Sequence, residues 1–138
     1  VAPRPLSGDE IAFLTGRKLA RVATVGHDGV PHVVPVLFAY ADGSLWFSSD
    51  PGDRKVRNLR QHAVAALVID EPPPVKAGVT VSGEALVIDD GELFDIAQSH
   101  LQAAGAGGRR RMEPGEQVYV RLTPTDVASW RIERALGG

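Results

Sequence analysis

Two Asp-Gly dipeptides, Asp28-Gly29 and Asp42-Gly43, each sit between short runs rich in apolar residues. Such a pair readily takes the positive φ angles of a two-residue hairpin turn, so each predicts that its flanking runs pair as antiparallel strands. The first turn joins a strand over Leu19–Val25 to one over 32–40, and the second leads into a strand over 45–49. Further apolar runs predict strands over 64–69 and 79–88, with Gly83 marking a bulge or bend in the latter. Two alternating strands are expected to finish the chain. Val118, Val120 and Leu122 share a face of the first, and Ala128, Trp130 and Ile132 a face of the second.

Helical signals are confined to three short segments. Ser7 and Glu10 have the spacing of a capping box, Leu6 and Ile11 that of a hydrophobic staple, and Gly16 suits a helix stop, which together predict a helix near 8–15. A second helix is expected at about 54–62. A third, over 92–104, places Leu93, Ala97 and Leu101 on one side, with Asp89 and Asp90 favourable at its start. Glu71 and the three prolines after it form a stiff connector, and 104–115 is a flexible loop rich in Gly and Arg. Six or seven strands, mostly joined by hairpins and interrupted by short helices, describe a mainly β (α+β) domain spanning 1–138. The architecture expected is a closed or partly closed antiparallel barrel.

Several of these strands are apolar on both faces. In 32–40, Val34, Val36 and Phe38 lie on one side and Val33 and Leu37 on the other. A small barrel has one core, so the second apolar face needs a cover. A helix can supply part of it and a second copy of the chain the rest, so a homodimer is expected. The net charge of −2 argues against a general nucleic-acid binder. No apolar run approaches the ~18 residues of a membrane span. The chain has no cysteine and no leader before its first helix, so a cytoplasmic protein is expected, without disulfides or thiolate chemistry.

The densest functional signal lies in 45–70. An apolar strand ends in Ser48 and Ser49, passes a Pro-Gly turn, and opens a helix carrying Arg54, Lys55, Arg57 and Arg60. Hydroxyls, free N–H groups at a helix start and clustered cations together suit an anionic ligand, with Lys55 and Arg54 in the first turn as the leading phosphate ligands. Arg57 and Asn58 lie three and four residues beyond Arg54 and share its side of the helix. The same pattern also describes a solvated basic helix face, and Asp53 can itself cap the helix in the anion's place. Pro35 within a strand implies an edge or a bulge. A flat ring lying against Pro35 and Val36 accounts for it, and so does an ordinary edge strand.

Elsewhere the chain offers little chemistry of its own. His27, His32, His62 and His100 are scattered without a carboxylate at ligand spacing, so no metal site is expected. Nothing resembles a serine-hydrolase set, and no proton donor stands out. Trp46 and Trp130 read as core or interface residues, and Arg109, Arg110 and Arg111 as a solvated loop that can also reach an acidic tail. Any redox or group-transfer chemistry therefore calls for a bound organic cofactor.

The ordered set of segments resembles the flavin/deazaflavin-binding split β-barrel family, the pyridoxamine 5′-phosphate oxidase-like proteins. The segments that carry the resemblance run from Ala20 to Val25, from Asp28 to Val36, from Ser48 to Asp70 with the basic run at 54–60, and from Val127 to Arg131. The resemblance implies a six-stranded antiparallel split barrel of Greek-key type with short flanking helices, working as a homodimer with cofactors in grooves at its interface. It implies that Lys55 and its basic neighbours Arg54 and Arg57 hold the cofactor phosphate, with Asn58 beside them in the cofactor site, and that Ser48 and Ser49 lie near the phosphate or ribityl chain. The backbone of Pro35, Val36 and Leu37 would lie against the ring. The expected function is an oxidoreductase that uses the deazaflavin coenzyme F-420, or alternatively FMN, to pass hydride to a small organic acceptor. A non-catalytic flavin or tetrapyrrole carrier and a pyridoxamine 5′-phosphate oxidase-like FMN enzyme are the alternatives. The chain is short, without the longer C-terminal extension of true pyridoxamine phosphate oxidases, which argues against vitamin-B6 chemistry.

Overall fold

The structure is a computed structural model and describes residues 2–137. Six strands close into one antiparallel barrel: β1 (Leu19–Val25), β2 (Pro31–Ala41), β3 (Ser44–Ser49), β4 (Val64–Asp70), β5 (Gly78–Ile88) and β6 (Val118–Trp130). Their order around the wall is β1-β2-β3-β6-β5-β4. β1, β2 and β3 are joined by hairpins at the two Asp-Gly turns, where Gly29, Asp42 and Gly43 all take positive φ. The helices are α1 (Gly8–Leu14), α2 (Arg54–Gln61), α3 (Glu92–Ala103) and α4 (Ile132–Ala135).

Inward residues of alternating strands, among them Val22, Phe38, Phe47, Leu67, Val81 and Leu122, fill the barrel and are almost fully buried. Each such side chain contributes roughly 1.5–3 kcal/mol of burial. Leu6, Phe13 and Leu14 of the α1 region and Ile132 of α4 extend this core at one end, and Leu59 of α2 joins it at the other. The capping box forms as expected. Glu10 N–H donates to Ser7 Oγ at 3.2 Å, and Ser7 N–H donates to the Glu10 carboxylate at 2.7 Å.

The chain ends in one strand where the sequence predicts two. β6 runs unbroken for 13 residues because a bulge, and not a turn, resets its register. Gly83 faces Pro124 while Ser82 faces Asp126, which leaves Thr125 as the extra residue. Beyond it the inward positions change parity, and Val127 packs against the core. Gly83 is required here: a Cβ on it would lie 1.9 Å from the Thr123 carbonyl oxygen. Ile132 does not extend this strand. Arg131 turns the chain at φ 52°, and Ile132 opens α4, an additional short helix, with its side chain buried.

α3 lies outside the barrel. Phe94, Ala97 and Leu101 pack on Ala39, Trp46 and Tyr119 to form a second, smaller core. Among the described residues no such helix covers the outer faces of β1, β4 and β5. There Ala23, Ala66 and Ser82 stand side by side in one cross-strand row and help to line a shallow apolar groove of about 480 Å³. Val64 in its lining is more than two-fifths exposed, as are Leu19 and Val33 on β1 and β2.

Candidate functional site

β2 changes neighbours along its length. Its residues from Pro31 to Leu37 pair with β1, and those from Phe38 onward pair with β3. Phe38 donates its N–H to the Lys18 carbonyl at 2.8 Å, which sets the parity of the β1–β2 ladder. Val34 and Val36 turn their main-chain groups toward β1, whereas Val33, Pro35 and Leu37 turn theirs away from it. Pro35 therefore lacks its N–H on the side where β1 needs no donor, and the ladder loses nothing. The proline marks a local edge inside a barrel strand.

β3 parts from β2 beyond Phe47 but stays paired with β6, with Ser48 facing Tyr119 and Ser49 facing Val118. A split thus opens between the first half of β2 and the end of β3, and the turn into α2 continues from β3. Leu37, half-exposed, and Ser48 are brought to it. Val36 is not: its side chain is in the barrel core and its main chain faces β1.

At the head of α2 the expected cations separate into two groups. Lys55 turns toward β3, with only 11% of its side chain exposed, and its Nζ donates to Asp53 Oδ2 at 3.0 Å. Ser49, buried, donates from Oγ to the same oxygen at 3.0 Å. The Lys55 and Ser49 hydrogen bonds hold the Asp53 carboxyl below its ordinary range. Asp53 occupies the N-cap position but makes no side-chain cap. Its carboxylate sits instead between Ser49 and Lys55. Arg54 and Arg57 lie in a different cleft, of about 330 Å³, lined also by His27, Asp28, Asn58 and Gln61. Arg54 approaches Asp28 at 4.0 Å, and Arg57 donates to the Gly52 carbonyl. Asn58 is buried and donates to Thr24 Oγ1 at 3.1 Å, which ties α2 to β1.

A larger cleft of about 600 Å³ lies between α3 and the loop after it, and Leu37 and Ser48 line it too. Gln98, 2% exposed, clamps that loop: its Oε1 accepts from Met112 N–H at 2.6 Å and its Nε2 donates to the Met112 carbonyl at 3.2 Å. Tyr119, the cross-strand neighbour of Ser48, contributes its ring to the wall, packed edge-on against Phe94. Burial pushes the Tyr119 phenol above its usual range, despite a hydrogen bond with Gln117. Of the three loop arginines, Arg109 and Arg110 line the cleft, with Arg110 also paired to Glu116, while Arg111 pairs with Asp95. Sequence reasoning missed Gln98 and Tyr119. The one available signal for Gln98 was a polar residue three positions from Leu101 and four from Phe94, on the apolar side of α3.

An open strand edge, a hydroxyl-bearing strand end and a largely enclosed lysine at a helix start are the features that define this small split barrel. Residues 9–131 match the family model for pyridoxamine 5′-phosphate oxidase. A 5a,11a-dehydrotetracycline/5a,11a-dehydrooxytetracycline reductase from Streptomyces rimosus is 31% identical over 137 residues, which cover 94% of this chain and 85% of the relative. Among solved structures, an FAD-binding protein from Mesorhizobium loti superposes with a TM-score of 0.70 at 26% identity, over 94% of this chain and 97% of that one. An F420 reductase has the same fold, with a TM-score of 0.69 at 20% identity over 89% and 98% of the two chains. The chain belongs to the pyridoxamine 5′-phosphate oxidase family and is an oxidoreductase.

Proposed function

We propose that this protein is a reductase that seats coenzyme F-420, with FMN as the alternative, along the split between β2 and β3 and serves a small organic acceptor. The parity of β2 is the observation that carries this reading. It turns the main-chain groups of Val33, Pro35 and Leu37 toward the split, where a planar heterocycle finds hydrogen-bonding partners along one edge. Lys55 and Ser49, held at the head of α2, suit the phosphate end, while Arg54 and Arg57 add positive potential from the neighbouring cleft. Ser48 stands between the two ends. When bound and reduced, the cofactor supplies a hydride.

The cleft beside α3 suits the acceptor, because it shares Leu37 and Ser48 with the split and is otherwise lined mostly by loop residues and polar side chains. The name of the Streptomyces relative, a reductase of dehydrotetracyclines, supports an organic acceptor there. Tyr119 lines this cleft as a phenol that burial keeps neutral at ordinary pH, which suits a hydrogen-bond and proton donor to the acceptor.

The bare outer face of β1, β4 and β5 supports a homodimer. Its small side chains allow close approach, its rim is apolar, and Arg21 with Asp70 (3.2 Å) offers one charge of each sign to the matching pair of a twofold mate. Anaerobic titration of the purified protein with coenzyme F-420 and with FMN, followed by visible absorbance and then by mixing with candidate acceptors, tests the function. Binding of neither cofactor overturns it, and a bound, reduced cofactor that no acceptor reoxidises makes the protein a carrier. Light scattering on the eluting protein tests the dimer.

A further inference from the structure

We propose that Asp53 sets which kind of phosphate the site accepts, favouring a singly charged phosphodiester over a doubly charged phosphomonoester. The inference rests on the cofactor site proposed above. Three observations carry it. First, Asp53 Oδ2 lies 3.0 Å from both Ser49 Oγ and Lys55 Nζ, so the two groups best placed for a phosphate already hold a carboxylate. Second, the backbone of Asp53 is extended, as in an N-cap, yet its side chain leaves the first amides of α2 uncapped. The donors of the helix start remain for a ligand, and the negative charge stands beside them. Third, the remaining cations are partly committed, Arg54 toward Asp28 and Arg57 to the Gly52 carbonyl.

Lys55 and Asp53 therefore cancel, and an incoming phosphate meets a fixed negative neighbour. A phosphomonoester brings a charge of about −1.5 to −2 at pH 7, where a diester brings about −1. The additional charge is repelled by Asp53 across a few ångströms in a half-exposed setting, which corresponds to about tenfold in affinity. FMN ends in a monoester and coenzyme F-420 carries a diester, so Asp53 tilts the site toward the deazaflavin. The carboxylate is ionised when the ligand arrives, because its two partners keep it so.

The test compares the unaltered protein with Asp53→Asn, which keeps the shape and removes the charge. Each is titrated with FMN, with phosphate-free riboflavin and with coenzyme F-420, using flavin fluorescence or equilibrium dialysis, after a thermal melt shows both folded. The proposal expects FMN to bind about tenfold tighter to Asp53→Asn. Riboflavin should be unmoved, and coenzyme F-420 should gain clearly less than FMN. Asp53→Ser, which also lacks the charge, should repeat the FMN gain. An FMN affinity that is unchanged or weakened in both variants overturns the proposal while leaving the cofactor site standing. A parallel rise for riboflavin also overturns it, since the effect would not come from the phosphate. Failure of both proteins to bind any of the three ligands removes the site itself, and this inference with it.

Discussion

Asn58 Nδ2 lies 3.1 Å from Thr24 Oγ1, and both residues are buried where α2 meets the end of β1. This hydrogen bond, with Gly26 so near that a Cβ on it would lie 2.7 Å from Asn58 Oδ1, fixes the seating of α2 and hence of Lys55. Asn58→Ala leaves the Thr24 hydroxyl buried without its partner and is expected to destabilise the fold by about 1–3 kcal/mol. Urea denaturation reads this directly. Cofactor affinity should fall with it, because the helix that carries Lys55 loses its anchor. A variant as stable as the parent would show that α2 is held by Val56 and Leu59 alone.

Lys55→Ala removes the cation nearest the split without touching the core. Cofactor binding is expected to weaken by about 1–3 kcal/mol, the range for a charge-assisted hydrogen bond, with a denaturation midpoint close to the parent's. Equal affinity in the two proteins would take Lys55 out of the site. Arg54→Ala and Arg57→Ala should each cost less than Lys55→Ala, and their effects should fade as salt is raised, because those side chains are more exposed and act from the neighbouring cleft.

Much of this arrangement was legible from local signals. The Asp-Gly turns placed β1, β2 and β3, Ser7 and Glu10 placed α1, and Gly83 marked the bulge. What escaped depends on residues distant in sequence. Whether β6 is one strand or two is decided by Gly83 letting the Thr123 carbonyl approach, a contact across strands that no local pattern records. Tyr119 becomes a neighbour of Ser48 only because β3 pairs with β6, so neither residue's own segment announces the pair. The basic helix misled for a simpler reason. Consecutive residues on a helix diverge by about 100°, so Arg54 lines the cleft beside Asp28 while Lys55 turns to Asp53, although both lie in the first turn. Val36 was expected at the ring through the same shortcut, since neighbours on a strand turn to opposite faces.

Gly83→Ala tests the bulge. The added methyl would meet the main chain of the facing strand at 1.9 Å, which no side-chain rotation relieves. A loss of at least about 1–3 kcal/mol is expected. Gly8→Ala is the matched control: nothing lies within 4 Å of the added methyl, and alanine at a φ it adopts without strain gains about 0.4–1 kcal/mol by restricting the unfolded chain. The two substitutions should move the melting temperature in opposite directions.

Glu10 gives the fold an acid limb. Burial pushes its carboxyl up, but the Ser7 N–H and the Arg4 guanidinium at 2.8 Å outweigh that and leave it below its ordinary value of 4.5. A lowered carboxyl contributes stability that is complete above the unfolded value and is lost as pH falls through the folded one. Glu10→Gln should therefore be less stable than the parent near neutrality, and the gap should close below pH 4.5. Thermal melts across that window check it, and a gap independent of pH would assign the contribution to packing.

Tyr119→Phe separates the acceptor cleft from the cofactor split. The substitution keeps the ring that packs against Phe94 and removes only the hydroxyl. Burial raises the phenol above its ordinary value of 10.0, so below that pH the group is a neutral donor. Loss of a proton donor typically lowers the chemical step by about 10²–10⁴-fold. Turnover of the variant should fall within that range while its cofactor affinity stays at the parent's level, since Tyr119 lines the cleft beside α3. The sign of the pH effect follows from the protonated form being active. Parent turnover should hold through neutral pH and decline only in strong alkali, and the variant should lack that decline. A variant whose turnover matches the parent's would assign the proton to water in the cleft and leave Tyr119 as wall.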